Sequence, residues 1–301
     1  MIDLPQLIIN LRLSEVASFL NCELVGSDIV LDGFNLSNRE IIAKSVLSYC
    51  GSERFVRIAC KNTSVKALIL PKELYDSLEK EQKNRFSFIL SDTPEWDFYK
   101  AFIHAKDSGI YPSYDWPTKM NDAIVGNNSI IEDGVILGNN VVIGSNTIIK
   151  SGTIIGDNVC IGSSSVVGND GFQLIKDNEG HNHTIPHVGR TYIGNNVTLL
   201  DNVTVAKSLF EGYTYLDDYV KADCQAHVAH NCYVGRDSVI CANTTLLGSC
   251  YIGNNVWIAP NCLILNRAKI GDNAFICAAS FVMGNVLRGT KVFGVPAKKI
   301  D

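Results

Sequence analysis

Residues 251–280 read YIGNNVWIAPNCLILNRAKIGDNAFICAAS, and an aliphatic side chain recurs at every sixth position of this stretch. A residue that is mostly small follows each aliphatic one by four positions, as Cys262 follows Ile258. An α-helix repeats every ~3.6 residues and an alternating strand every ~2, so neither structure has this period. The pattern instead predicts short strands joined by tight turns, with the aliphatic and the small side chains both directed inward.

The same period extends over much of the chain in three phases, which span residues 125–167, 193–205 and 216–282. Three hexapeptides per coil place each aliphatic side chain above its counterpart 18 residues earlier, which forms a triangular prism with hydrogen bonds between coils. We therefore predict a mainly β fold, a left-handed parallel β-helix of hexapeptide repeats over residues 121–292. A C-terminal tail is expected at residues 293–301.

Two breaks in the phase predict loops near residues 169–192 and 207–215. Residues inserted into a solenoid must leave its wall, and functional side chains concentrate in loops that a rigid scaffold carries. The first loop is the larger, and it contains three of the six histidines of the chain. These loops are therefore candidate parts of a functional site.

The N-terminal part of the chain, residues 1–104, lacks the period and is predicted to form a mixed α/β domain. We expect a helix near Leu13–Leu20, a strand near Ala67–Leu70 and a helix near Lys72–Lys83. Residues 105–120 contain two prolines and are expected to be a linker.

The composition excludes several classes of protein. The net charge of −5 comes without long runs of one sign, so we expect no nucleic-acid partner. The first residues lack the pattern of a secretory signal and no stretch reaches the length of a membrane span, which favours a cytoplasmic protein. Of the 10 cysteines, Cys232, Cys250 and Cys262 fall in the small inward column, so packing explains them better than redox or metal chemistry.

His230 is the best candidate for a catalytic side chain. A histidine side chain can act as a general base near neutral pH, which makes the histidines of the chain candidates for catalysis. His230 follows the inward Val228 by two positions, so its side chain should leave the wall of the prism.

Residues 223–231 read DCQAHVAHN and resemble the Asp, Gln and Ala-His-Asn signature of the UDP-(3-O-acyl)-glucosamine N-acyltransferases of lipid A biosynthesis. The resemblance implies that His230 is the catalytic base. Residues 168–172 and 185–189 resemble the loop that interrupts the β-helix in this family. Substrate contacts or loop roles are thereby implied for Asp170, Phe172, His187, Asp223, Gln225, His227 and Asn231.

The N-terminal domain carries part of the same resemblance. Val46–Tyr49, followed by Phe55, looks like the uracil-stacking pair of the family, which implies that Tyr49 and Phe55 bind a nucleotide. Two aromatic residues in a small domain are also frequent as plain core residues. Thymine would fit such a pair with little change, so the nucleotide is left open between UDP, dTDP and others.

The chain departs from the family at several positions. His227 occupies a position where the family usually has Gln, and residues 204–207 read TVAK where the family has Thr-Ile-Asp-Arg. Arg267 occupies the position of a second family histidine that is proposed to help stabilise the oxyanion; an arginine could do the same or mark a different substrate. The ending at residues 293–301 is similar to that of coenzyme A-dependent sugar acetyltransferases, whereas the lipid A enzymes continue with a helical extension that helps hold acyl carrier protein.

These departures favour an N-acyltransferase that moves an acyl group from acyl-CoA or acyl carrier protein to the amine of a nucleotide-linked amino sugar, without a bound cofactor or metal. The resemblance further implies a homotrimer with sites between adjacent prisms. The alternative is the lipid A enzyme itself, using hydroxyacyl carrier protein. More remote alternatives are a metalloenzyme of the hexapeptide carbonic anhydrase type, with His227, His230 and either His181 or His183 as ligands, and a non-catalytic β-helix assembly protein.

Overall fold

The structure is a computed structural model that describes residues 8–39, 43–111 and 117–300. The chain forms two compact units. The first comprises the described residues of Met1–Ser113 together with Phe172–Val188 and Phe210–Gly212. The second comprises those of Tyr114–Gly171, Gly189–Leu209 and Tyr213–Asp301.

The strands of the first unit are β1 (Leu11–Arg12), β2 (Glu23–Val25), β3 (Val30–Leu31), β4 (Gly33–Phe34), β5 (Val46–Tyr49), β6 (Val65–Leu70) and β7 (Ser87–Leu90). Five of them form one sheet in the order β2-β7-β6-β5-β4, in which only β2 is antiparallel to its neighbour, and β1 pairs with β3 in a separate two-stranded sheet. Its helices are α1 (Leu13–Leu20), α2 (Glu53–Lys61), α3 (Lys72–Ser77), α4 (Lys80–Arg85) and α5 (Pro94–Asp107). None of the described helices combines the length and the apolar character that crossing a membrane requires.

The predicted helix near Leu13–Leu20 and the predicted strand near Ala67–Leu70 are confirmed as α1 and as the second half of β6. In α1 the buried residues are Leu13, Val16, Ala17 and Leu20, a spacing that follows one helix face. Asn21 ends the helix in the left-handed conformation that asparagine tolerates.

The single helix predicted over Lys72–Lys83 is wrong, because two short helices occupy this stretch. Leu78 is extended between them and is buried, which breaks the helix. A reciprocal capping box between Glu79 and Gln82 then starts α4. Burial of one leucine outweighs the helix propensity of the polar residues around it.

Helix α5 continues from Pro94 to Asp107, beyond the boundary expected at residue 104. Proline in its first turn, followed by Glu95 and Asp97, is a regular helix-start signal. Its apolar face packs Phe98 and Phe102 against Phe34. Part of the expected linker, residues 112–116, lies outside the described residues.

The second unit is the predicted parallel β-helix, with three faces of stacked short strands. A seven-stranded face, here the tyrosine face, contains Ile136–Leu137, Thr153–Ile155, Arg190–Ile193, Tyr213–Leu216, Tyr233–Val234, Tyr251–Ile252 and Lys269–Ile270. An eight-stranded face, the histidine face, contains Ile130–Ile131, Ile148–Ile149, Val166–Asn169, Thr204–Ala206, His227–Val228, Thr245–Leu246, Leu263–Ile264 and Phe281–Val282. A ten-stranded face contains Ile124–Val125, Val142–Ile143, Cys160–Ile161, Thr198–Leu199, Lys221–Ala222, Val239–Ile240, Trp257–Ile258, Phe275–Ile276, Lys291–Phe293 and Lys298–Ile300.

The inward columns form the core that the six-residue period predicts. Ile240, Ile258 and Ile276 stack in register and have no exposed surface. The thiols of Cys232, Cys250 and Cys262 are buried in the same core with at most 2% exposure, which confirms that they pack inward.

The two predicted breaks appear as longer intervals between paired coils. Regular coils pair residues 18 apart, whereas the interval is 38 residues at Asp157 and Asn195 and 23 residues at Asn195 and Asp218. Within the first break, Leu174–Lys176 and Asn182–Thr184 form an antiparallel hairpin. Pairing on all three faces resumes directly after each break.

The corners explain the abundance of asparagine in the repeats. One residue of most corner turns adopts a left-handed conformation, as Asn243, Asn255 and Asn261 do with φ between 53° and 59°. Arg267 and Ala279 are exceptions, with φ of 64° and 56° in the same role. These two residues carry a backbone strain that asparagine would carry more easily.

The outer surface of the prism has its own pattern. Tyr192, Tyr215, Tyr233 and Tyr251 stack along the tyrosine face, with ring centroids 4.6, 5.4 and 4.9 Å apart. At the C-terminal end, Lys298–Ile300 pairs antiparallel with Lys291–Phe293 and closes the ten-stranded face. The expected tail thus forms a small hairpin over part of its length.

Candidate active site

His230 begins the corner turn after the strand His227–Val228, two residues after Val228, whose side chain is in the inward core. The imidazole lies over Gly248 of the next coil. A Cβ atom added to Gly248 would be 2.7 Å from both Cε1 and Nε2 of the ring, so only glycine leaves room for it. The side chain is largely buried, with 8% exposure.

Asn231 fixes the imidazole of His230. The Asn231 Oδ1 lies 2.9 Å from Nδ1 of His230 and also accepts the N–H of Leu209 at 3.1 Å. The Asn231 Nδ2 donates to the hydroxyl of Ser208. Because a backbone N–H only donates, Oδ1 is an acceptor here, and Nδ1 of the imidazole must carry the proton. The lone pair that can accept a proton is therefore on Nε2.

Gly248 also offers a hydrogen-bond donor at this position. At several other corners the equivalent N–H donates to a side chain of the next coil, as Asn139 does to Asp157 at 2.7 Å. Among the described residues, no acceptor is recorded for the N–H of Gly248, as is also true of Ser145 and Ala242 at other corners. A backbone N–H beside an imidazole can serve as a donor to an oxyanion.

Arg267 belongs to the same corner column as His230. Ser249 donates its N–H to the carbonyl of His230 at 2.9 Å, and Arg267 donates its own to the carbonyl of Gly248 at 3.1 Å. The Arg267 side chain is exposed. The structure thus places a cation on the same edge of the prism as the imidazole.

His227 is on the outer side of the histidine face, between Thr204 and Thr245 of the neighbouring coils. It is partly buried, and this burial lowers its pKa. The neutral form is therefore favoured, and it offers one donor and one acceptor on the outer face.

Asp223 and Gln225 belong to the preceding corner, one strand away from the corner of His230. Asp223 accepts the N–H of Cys224 at 2.7 Å. Gln225 is exposed and left-handed, with φ of 62°. The turn at this corner accounts for the hydrogen bond of Asp223 and for the left-handed backbone of Gln225. The structure does not bring either residue together with His230.

Asp170 forms an ion pair with Lys207 at 2.8 Å. Lys207 precedes His230 by one coil in the same corner column, since Val205 pairs with Val228. The pair borders a pocket of about 330 Å³ that Glu132 and Lys150 also line. Lys207 therefore has an acidic partner from the first loop, which the sequence of residues 204–207 alone did not suggest.

The other loop residues belong to the first unit. Phe172 is 83% exposed, whereas His187 is buried and its Nδ1 lies 3.2 Å from the carbonyl of Ile185. His183 lies 2.7 Å from Asp177 and lowers the pKa of this carboxyl to about 2. Within residues 8–39, 43–111 and 117–300, no three His, Cys, Asp or Glu side chains are arranged to hold a metal ion.

The two proposed nucleotide-binding aromatics differ in their surroundings. Tyr49 packs against Phe98 with ring centroids 5.3 Å apart and donates its hydroxyl to Glu95 at 2.6 Å. Phe55, in the first turn of α2, is 39% exposed. Tyr49 is thus a packed residue with a fixed hydroxyl, and Phe55 offers an open ring.

Comparison with known proteins agrees with the repeat pattern. The family described as Bacterial transferase hexapeptide (six repeats) matches residues 134–169 and 249–284. UDP-3-O-acylglucosamine N-acyltransferase 2 of Legionella pneumophila (strain Paris) is 44% identical over 135 residues, which is 45% of this chain and 39% of the relative. The corresponding protein of Methylococcus capsulatus is 32% identical over 83 residues, or 28% of this chain and 23% of the relative.

The chain thus matches less than half of the length of these curated relatives. Among solved structures, UDP-N-acetylglucosamine acyltransferase from Campylobacter jejuni has a TM-score of 0.48 at 22% identity, over 61% of this chain and 71% of that one. The chain therefore contains hexapeptide repeats of this kind and is similar, over part of its length, to UDP-3-O-acylglucosamine N-acyltransferases.

Proposed function

We propose that this protein is an N-acyltransferase of the lipid A type, which transfers an acyl group from a thioester to the amine of UDP-3-O-acylglucosamine or a close analogue. The observation that carries the proposal is the imidazole of His230, held by Asn231 over Gly248. The names of the curated relatives favour this reaction over one on a different amino sugar, which the sequence departures had favoured.

His230 acts as the general base. The substrate ammonium loses one proton to solvent; as the resulting amine nitrogen forms a bond to the thioester carbonyl carbon, Nε2 of His230 accepts a second proton from that nitrogen, which is then neutral in the tetrahedral intermediate. The resulting oxyanion accepts the N–H of Gly248, and Arg267 adds positive charge on the same edge. The C–S bond then breaks, and the thiolate takes the proton back from the imidazolium.

Asn231 has a positioning role in this reaction. Its Oδ1 accepts the Nδ1 proton in both protonation states of the ring, so the imidazolium that forms is stabilised without movement. Ser208 and Leu209 hold the amide in turn.

The donor is acyl-CoA or an acyl carrier protein, and the active form is a homotrimer. The outward side chains of the prism support self-association, because large apolar groups such as Tyr251 and Trp257 are about half exposed in the single chain. In the first unit, Phe55 and Tyr49 are the proposed contacts for the nucleotide base.

The test is an acylation assay of the full chain with UDP-3-O-acylglucosamine and either acyl-CoA or acyl carrier protein, with the product measured by mass spectrometry. His230→Ala is expected to lower turnover by about 10²–10⁴-fold, as for loss of a general base. His104→Ala is the matched control, since His104 stacks on Phe19 in the first unit. Retention of most activity in His230→Ala, or no product with either donor, would refute the proposal.

A further inference from the structure

The first unit contains a second concave site, at the amino ends of its parallel strands. This amino-end pocket has a volume of about 560 Å³, and the residues that matter for its chemistry are Ser45, Lys66, Lys83, Asn84, Arg85 and Ser87. Ser45 directly precedes β5, Lys66 is the second residue of β6, and Ser87 is the first residue of β7. Tyr49 ends β5, so the pocket and the proposed nucleotide contact are at opposite edges of one sheet.

The pocket gathers three cations and no carboxylate lines it. Lys66, Lys83 and Arg85 form no ion pair with any residue in the described part of the chain. This concentration of uncompensated positive charge contrasts with the net charge of −5 of the whole chain.

Neutral partners hold two of these cations in place. Lys83 donates to the carbonyl of Asp76 at 3.1 Å and lies 4.8 Å from the ring centroid of Tyr75. Arg85 donates to the carbonyl of Asn62 at 3.4 Å and lies 5.4 Å from the ring centroid of Phe86. Carbonyl oxygens and ring faces orient a cation without cancelling its charge, so the charge is available to a ligand.

The nearest acidic residue in sequence is already engaged elsewhere. Asp28 follows the lining residue Ser27, but its carboxylate accepts the N–H and the hydroxyl of Ser14, each at 2.9 Å. It also pairs with Arg12 at 3.2 Å. Asp28 is therefore committed to the start of α1.

The serines of the pocket offer acceptors. The hydroxyl of Ser45 donates to the carbonyl of Val30 at 2.7 Å, and that of Ser87 donates to the carbonyl of Ser27 at 2.7 Å. Each oxygen then has lone pairs left but no proton to give. These acceptors suit hydroxyl groups of a ligand, while Asn84 offers both donors and an acceptor.

We propose that the amino-end pocket binds a phosphorylated polyol, such as a sugar phosphate. Lys66, Lys83 and Arg85 bind the phosphate, and the oxygens of Ser45 and Ser87 accept hydroxyl groups of the ligand. This binding is separate from the acyl transfer proposed above and does not depend on it.

The experiment is isothermal titration calorimetry of the full chain with glucose 1-phosphate, inorganic phosphate and glucose. Glucose 1-phosphate should bind, inorganic phosphate should bind more weakly, and glucose should not bind. Lys66→Gln and Arg85→Gln should each weaken glucose 1-phosphate binding about ten-fold or more, as for loss of a charge-assisted hydrogen bond. The Lys66 side chain is exposed and forms no ion pair with the described residues, so Lys66→Gln should leave the fold intact.

Lys80→Gln is the matched control, because Lys80 is on α4 like Arg85 but does not line the pocket, so this variant removes one positive charge outside it. It should leave the affinity unchanged. The proposal is overturned if neither phosphate ligand binds, or if Lys80→Gln weakens binding as much as the pocket variants. Equal affinity for inorganic phosphate and glucose 1-phosphate would overturn the role of the serines.

Discussion

At the scale of single residues, Gly248 decides whether the imidazole of His230 can lie where it does. In Gly248→Ala, the new Cβ would lie 2.7 Å from Nε2 and would displace the ring. If His230 is the base, as proposed, turnover should fall about 10²-fold or more, because the displaced imidazole would no longer reach the amine. Steady-state kinetics measures the loss, and circular dichroism checks the fold.

The control for this prediction is Gly284→Ala. A Cβ at Gly284 meets nothing within 4 Å, so this variant makes the same chemical change without contact. Full activity in Gly248→Ala would show that the His230 imidazole does not need its position over Gly248 for the reaction.

Arg267 provides a second prediction at this scale. Its left-handed backbone, with φ of 64°, is easier for asparagine, so Arg267→Asn should stabilise the protein by up to ~1 kcal/mol. If the guanidinium stabilises the oxyanion, kcat should fall at the same time. Thermal unfolding and kinetics measure the two effects separately.

Ala279→Asn is the matched variant, since Ala279 has φ of 56° and no charge. It should raise the melting temperature and leave kcat unchanged. An unchanged kcat in Arg267→Asn would show that the guanidinium of Arg267 does not take part in the reaction.

At the scale of elements, the segment Phe210–Gly212 carries a buried carboxyl in the first unit. Glu211 accepts the hydroxyl of Tyr111 at 2.5 Å and the N–H of Phe34 at 3.2 Å, both at Oε1. Its Oε2 has no hydrogen-bond partner among the described residues. Burial, with a smaller contribution from Asp32, raises the pKa of Glu211 to about 7.

This pKa predicts a pH dependence of stability. The folded pKa lies above 4.5, the usual value for a glutamate side chain, so the folded state binds the proton more tightly than the unfolded state. The stabilisation is fully present below pH 4.5 and is lost as pH rises through about 7. Urea unfolding between pH 5 and 8 should show this loss, and Glu211→Gln should remove it.

Glu73→Gln, which replaces an exposed carboxyl on α3, is the control, and its unfolding free energy should change with pH as in the wild type. If Glu211→Gln shows this same pH dependence, other groups cause it.

Much of this element-level structure could be predicted from the sequence, and its failures have physical causes. The six-residue period fixes which side chains of the prism are inward, because each hexapeptide repeats one local geometry. The break at Leu78 and the burial of Glu211 depend on what packs around them in three dimensions. No local pattern contains that information, and the same holds for the close approach of the His230 ring to Gly248.

At the scale of the whole molecule, the outer faces of the prism predict self-association. We expect a homotrimer, with a solution mass near three times the 32.9 kDa of the chain. Light scattering coupled to size-exclusion chromatography measures this mass. A monomer with full activity would contradict a site that needs adjacent prisms.

The repeat pattern and the Ala-His-Asn element could be recognised from sequence, whereas the grouping of the chain into units could not. Residues 172–188 and 210–212 belong to the first unit although they interrupt the repeats of the second. This grouping depends on contacts between residues far apart in the chain, which a periodic pattern does not reveal.

The immediate return of strand pairing after each break has a consequence for how such proteins diverge. Ile155 pairs with Ile193 as if the intervening residues were absent, and on the histidine face the first break leaves only a local register shift between Val167 and Asn169. Residues can therefore be added to, removed from or exchanged in this loop during evolution while the coils of the prism keep their geometry. The residues of the coils before and after the loop, including His230, can then keep their positions while the loop changes.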